Sequence, residues 1–138
     1  CLPVFLANRA GDRVGVAHAG WRGLATGVVE ATIVALDCEP GELVAWLGPS
    51  IGPLVFEVGP EVREMFLAQD AGATAAFQSG RPGRWFADLP GLARRRLEAA
   101  GVTAVSGGDH CTHADAARFF SFRRDGVTGR MAALAWLD

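Results

Sequence analysis

Residues Cys1–Gly23, CLPVFLANRAGDRVGVAHAGWRG, decide the fold class. Leu2–Ala7 is an apolar run with β-branched and aromatic members. Asn8–Arg13 is polar and contains a glycine, and Val14–His18 is a second short apolar run. Two strand-like runs joined by turn-forming residues predict a β-hairpin. Folded about the Arg9–Ala10 bond, the hairpin sets Cys1 opposite His18. Directly opposed residues of an antiparallel pair have Cβ atoms about 4.5–5.5 Å apart. A thiolate and an imidazole at that distance can meet on one metal ion or on each other. A one-residue bulge in the turn would instead send them to opposite faces.

Outward from the hairpin, Gly20-Trp21-Arg22-Gly23 leads into a helix expected over Leu24–Leu36. Leu24, Val28, Ala31 and Ala35 form one stripe, widened by Val29, Ile33 and Leu36. Glu30 is the only interior charge, so this helix is expected to be buried on most sides. Strand, glycine-rich turn and helix can aim backbone N–H groups at an anion. The same glycines can also serve only a tight corner, since no full dinucleotide or P-loop pattern is present. Leu43–Leu47 reads as a buried strand, Gly48–Pro53 as a rigid loop, and Phe56–Val58 as its close. Pro60 opens a helix to Leu67. A short helix is expected to end at Phe77. Asp88 caps a helix over Leu89–Ala100, stopped by Gly101. Val102–Val105 is a strand. Phe119–Arg123 and Arg130–Leu137 flank a turn and predict a terminal hairpin.

Composition narrows the function classes. With 138 residues, half of them hydrophobic and a fifth charged, the chain is one domain with a real core. A net charge of −2 argues against a nucleic-acid partner recruited by bulk charge. All 13 basic residues are arginines, which excludes Schiff-base and P-loop lysines. No apolar run reaches transmembrane length, and the sequence shows no secretory leader pattern. Cys1, Cys38 and Cys111 form no even framework, so free thiols in a reducing cytoplasm are expected. The chain opens inside a strand-like run without methionine and reads as the later part of a longer protein.

Other polar groups carry competing readings. Glu57 among apolar residues is a candidate acid or base, with a structural carboxylate the simpler role. Arg94, Arg95 and Arg96 read as a solvated helix face. His110, Cys111 and His113 are taken as non-ligands, because C-x-H and H-C spacings suit one tetrahedral site poorly. Arg123, Arg124 and Arg130 can bind phosphate or carboxylate bidentately, or form a salt-bridged turn with Asp125.

The run CLPV…HAGWRG, then GPSIGPLVFEVG, then CT with FFSFRRDGVTGR resembles the YfiH-type family over essentially the whole chain. That family is also called laccase-domain or multicopper polyphenol oxidoreductase-like. The resemblance implies an α/β fold, a layered sandwich of mixed β-sheet and helices also compared with cysteine hydrolases of the cytotoxic necrotizing factor type. The 138 residues would form a single domain, the C-terminal part of such a laccase domain without its upstream segment. It implies that Cys1 and His18 are zinc ligands, with a third histidine in an upstream Val-His-Gly segment. The activity implied is purine nucleoside phosphorolysis with adenosine deamination. The alternative activity the resemblance implies is copper-dependent polyphenol oxidation, an earlier assignment for the family.

Chemistry weighs these names. One thiolate, two imidazoles and an open position make a catalytic zinc site, with Cys1 and His18 as catalytic residues. Zinc there would bring the pKa of a bound water to about 7, which suits hydrolytic deamination. Phosphorolysis also needs an anion site, for which Arg22, Arg123 or Arg124 are the candidates. Three histidines cannot build a multi-copper cluster. A metal-free pair, with Cys1 as nucleophile and His18 as base, remains a third reading, and a non-catalytic binding domain a fourth. The arginine turn is expected to fold back toward the hairpin.

Overall fold

The computed structural model describes residues 1–138. Its first two strands are β1 (Leu2–Asn8) and β2 (Val14–Ala19), the expected hairpin. The register differs by two residues from the expected one: Leu2 pairs with Ala19 and Pro3 with His18. The reason lies in the turn. Asn8 Oδ1 accepts from the backbone N–H groups of Gly11, Asp12 and Arg13, and Asn8 N–H donates to Arg13 C=O. The side chain of Asn8 thereby centres the reversal one residue later. A shift of two keeps every side chain on its face, so Cys1 and His18 still share one.

The single helix expected over Leu24–Leu36 is two. Helix α1 (Trp21–Ala25) and helix α2 (Val28–Leu36) meet at Gly27, which sits at φ +94°, a left-handed conformation that glycine adopts without penalty. Helix α2 buries one face only, Val29, Ile33 and Leu36, while Ala31, Val34 and Ala35 are exposed. Strand β3 (Leu43–Leu47) alternates buried and exposed and so is not buried on both sides. It pairs antiparallel with β1 and parallel with β7 (Ala104–Gly107), which starts two residues later than expected. The result is a mixed sheet in the order β2-β1-β3-β7.

A second sheet, β4 (Glu57–Val58), β6 (Trp85–Ala87) and β5 (Phe77–Ser79), is antiparallel in the order β4-β6-β5. Helix α3 (Pro60–Leu67) forms as expected, followed by tight 3-10 turns over Ala71–Ala76 where a short helix was expected. Helix α4 (Leu89–Ala99) starts where Asp88 Oδ1 accepts from Gly91 N–H at 2.9 Å. Helices α1, α2 and α4 close the inner face of the large sheet over Leu2, Val4, Leu6, Leu43 and Leu47, none more than 1% exposed. Burying each such side chain stabilises the fold by about 1.5–3 kcal/mol.

Arg94, Arg95 and Arg96 are not a solvated face. Arg94 donates to the carbonyls of Val105 and Gly107 and ties α4 to β7. Arg95 pairs with Asp70 at 2.7 Å, and Arg96 with Glu30 at 2.6 Å and Gln69 at 2.7 Å. The terminal hairpin does not form either. Ser121 Oγ accepts from Arg124 N–H and turns its first arm into the single helical turn α5 (Phe122–Asp125), leaving Arg130–Leu137 outside any sheet. No helix is long and apolar enough to cross a membrane.

Candidate functional site

The large sheet collects its chemistry at one rim. Strand β1 begins there and β2, β3 and β7 end there, since Leu2 pairs with Ala19, Val4 with Leu47, and Leu47 with Gly107. Loops leaving the carboxyl ends of parallel strands are the usual place for a site in such sheets. Cys1, His18, the Gly48–Gly52 loop and the Gly108–Cys111 segment all lie on or beside this rim.

Cys1 and His18 are both exposed and both belong to the outer face, one diagonal step apart across Pro3. Gly20 is the residue that lets them converge. A Cβ on Gly20 would lie 2.9 Å from Cys1 Sγ and 3.9 Å from His18 Nε2. Sulfur and imidazole nitrogen therefore flank one point in space that only glycine leaves open. The donor types, a soft thiolate and an imidazole, suit zinc. Two donors are what this chain supplies: nowhere do three His, Cys, Asp or Glu side chains converge on a metal position. Arg22 sits on α1 just past Gly20, exposed, with its guanidinium carbon 4.4 Å from the Trp21 ring centre and no carboxylate partner.

Arg123 reaches this end of the molecule from the other side of the sequence. Its Nη1 donates to Glu57 C=O at 3.1 Å, and its guanidinium carbon is 5.6 Å from the Phe56 ring centre. Its charge is within electrostatic reach of the Cys1 backbone nitrogen, and no carboxylate claims it. Arg124, its neighbour, is fully committed to the chain: it forks onto Asp125 at 2.8 and 2.7 Å and donates to the carbonyls of Thr112, His113 and Phe119. The two alternatives weighed for this turn thus divide between adjacent residues. Arg124 makes the salt-bridged turn, and Arg123 stays available to an anion. Arg130 bonds only to the carbonyls of Thr128 and Gly129.

Glu57 is claimed by Arg81. Hydrogen bonds from Arg81 lead the causes that hold its carboxyl below the ordinary range, so it stays ionised and pins the 80–84 loop. Cys111 is stitched into the fold, its Sγ accepting from the N–H groups of Gly52 at 3.2 Å and Ala114 at 3.4 Å. Its backbone bridges to Ser50 and prolongs the β3–β7 pairing past the strand ends. His110 lies exposed with its ring 6.0 Å from Phe119, in a shallow groove shared with Asp109, Asp115 and Arg118. All three cysteines are free thiols. Two contributors had no separate signal in the sequence: Gly20 as the opening between the donors, and Phe56 as the ring under Arg123. Asp125, placed directly after Arg124, was the available hint that one arginine of the pair is spoken for.

Comparison with known proteins bears on this arrangement. The family model of multi-copper polyphenol oxidoreductase laccases matches residues 1–138. The chain belongs to this family. Within it, the chain is 57% identical over 139 residues to a protein of Pseudomonas aeruginosa named purine nucleoside phosphorylase, covering all of this chain and 57% of that protein. It is 54% identical over 138 residues to the purine nucleoside phosphorylase YfiH of Escherichia coli, covering 99% of this chain and 56% of that one. A crystal structure of a Neisseria meningitidis family member superposes with a TM-score of 0.98 at 51% identity, over 100% of this chain and 57% of that chain. The mixed α/β architecture is thus the family's own, and the chain spans somewhat over half the length of the relatives it matches.

Proposed function

We propose that these residues form part of a zinc-dependent purine nucleoside phosphorylase with adenosine deaminase activity. The observation that carries the reading is the convergence of Cys1 Sγ and His18 Nε2 over Gly20. The names of relatives at 54–57% identity support phosphorolysis. Because the chain spans somewhat over half of them, we take it as one part of a longer catalytic unit that works in the cytoplasm and brings the remaining donor from elsewhere in the polypeptide.

The roles divide as follows. Cys1 and His18 hold the metal, which when bound supplies a Lewis acid able to activate water near neutral pH. Arg123 binds phosphate through its fork and holds it beside the sugar. In phosphorolysis a phosphate oxygen forms the new bond to the anomeric carbon, the carbon–nitrogen bond breaks, and its electron pair leaves with the purine, which takes up a proton. Arg123 contributes by orientation and charge balance. In deamination water adds to the purine carbon bearing the amino group, and ammonia leaves. Copper-dependent oxidation, the reading contained in the family's name, is the weaker one chemically. Of three histidines in the sequence, His110 and His113 lie on the loop after β7 and only His18 belongs to the Cys1 pair.

The test uses the complete polypeptide carrying these residues. Free base should be released from inosine only when phosphate is added, and adenosine should also yield inosine. Both activities should vanish in Cys1→Ser and His18→Ala. Phenol oxidation that tracks copper loading, with nucleosides untouched, would replace this reading by the oxidase one. Nucleoside activity that survives chelation but not thiol alkylation would replace it by the metal-free cysteine one.

A further inference from the structure

We infer that Arg124 is a positioning residue whose work is to set Arg123 in place for the anion. The inference rests on the phosphate role proposed for Arg123 above. The helical turn α5 that carries both arginines is four residues long. A turn of that length does not hold itself in water, because nucleation fixes several dihedrals for one hydrogen bond. Something outside its own backbone must supply the order. Arg124 spans the loop from Thr112 to Asp125. Its Nη1 donates to Thr112 C=O at 3.0 Å and His113 C=O at 3.1 Å, and its Nη2 to Phe119 C=O at 3.0 Å. Its Nε and Nη2 together fork onto the Asp125 carboxylate. Three carbonyls and one carboxylate take up its whole donor set, leaving none for an external ligand.

Arg123 is the opposite case one residue earlier. Its single protein acceptor is the Glu57 carbonyl, so most of its fork is unclaimed. Adjacent residues on a helical turn point in different directions. The turn can therefore be anchored through Arg124 while it holds Arg123 against the Glu57 carbonyl and the Phe56 ring. Lysine cannot replace Arg124 in this role, because its compact ammonium cannot serve a carboxylate fork and three spread carbonyls together.

The test measures phosphorolysis by the complete polypeptide against phosphate concentration. Arg123→Ala should raise the phosphate KM roughly 10- to 100-fold. Arg124→Ala should raise it comparably, with kcat at saturating phosphate much less affected, and Arg124→Lys should not restore it. The double variant should be no worse than Arg123→Ala alone, since both changes act through one group. Arg124→Ala with an unchanged phosphate KM and only a lower Tm would overturn the inference and leave Arg124 as a stabilising clamp. Should Arg124→Ala fail to fold, Arg124→Lys and Asp125→Asn carry the same comparison with the stem or most of the clamp intact.

A second readout separates this inference from the reading beneath it. The Nε–H resonance of Arg123, observed without phosphate, should move in Arg124→Lys. A resonance that stays in place overturns the positioning role. A phosphate KM unchanged in Arg123→Ala overturns the anion site, while the resonance still decides whether Arg124 orders its neighbour.

Discussion

The two faces of the large sheet come from the same strands and do different work. The inner face, with Leu2, Val4, Leu6, Ala17, Ala19 and Leu47, is sealed by helices and almost free of solvent. The outer face carries Cys1, Pro3, Phe5, Val16, His18, Val44 and Trp46, and Trp46 is 43% exposed. Strand side chains alternate between faces with a period of two, so cohesion and chemistry sit one residue apart along β1 and β2. Chemical groups can then be changed on one face with little effect on the packing of the other. That separation is also why a two-residue register shift is harmless to the candidate site, whereas a one-residue shift would have destroyed it.

Breaking the inner face should have the largest effect. Leu6→Ala should lower stability by about 2–5 kcal/mol, read as a lower urea midpoint at unchanged slope. A cost below about 1 kcal/mol would mean that the inner face is not where the fold is held. On the outer face Phe5→Ala should cost less. Its ring lies 5.3 Å from that of Trp46, and such a pair contributes about 0.5–1.5 kcal/mol beyond burial. His18→Ala, metal-free, should shift stability by no more than about 0.5 kcal/mol, yet abolish metal binding and turnover. A large stability loss there would mean that His18 is a packing residue.

The smallest effect expected is in acid. Hydrogen bonds from Arg81, Arg95, Arg118 and Arg124 hold the carboxyls of Glu57, Asp70, Asp115 and Asp125 below their ordinary range. With folded pKa values below unfolded ones, these groups stabilise the fold above the unfolded pKa and lose that contribution as pH falls through the folded one. Tm should therefore decline on acidification below the normal carboxylate range, more shallowly in Asp125→Asn, and the effect should weaken in high salt. All four pairs lie off the inner face, so a steep acid collapse would sharpen the contrast in the opposite direction.

What could be read from the residues followed local physics. The hairpin was legible because two apolar runs flank a polar turn. Helices α3 and α4 were legible because Pro60, Asp88 and Gly101 mark their ends chemically. The errors came from partners that residue type and periodicity do not reveal. The hairpin register depends on one Asn8 side chain bonding three backbone N–H groups. Strands β5 and β6 are three residues each and gain their order from pairing. Arg94, Arg95 and Arg96 looked solvated because their acceptors, in β7, Asp70, Gln69 and Glu30, are distant in sequence. At the site, residue type and spacing set Cys1 and His18 on one face but favoured a structural role for them, and only the family resemblance made them candidate ligands; for the arginine cluster a salt-bridged turn stood beside the anion site. Which arginine is anchored and which is free became visible only with the carbonyls of the 112–119 loop in place.

The central claim is that Cys1, among three free thiols, and His18 hold the metal from the outer face. Cobalt substitution of the complete polypeptide tests it most directly, because a thiolate bound to cobalt gives a charge-transfer band that a non-ligand thiol does not. The band should appear in the unaltered protein and in Cys38→Ser and Cys111→Ser, and should be lost in Cys1→Ser and weakened or lost in His18→Ala. A band that persists in Cys1→Ser and disappears in Cys111→Ser would contradict the account, moving the metal from the outer-face pair to the loop that follows β7.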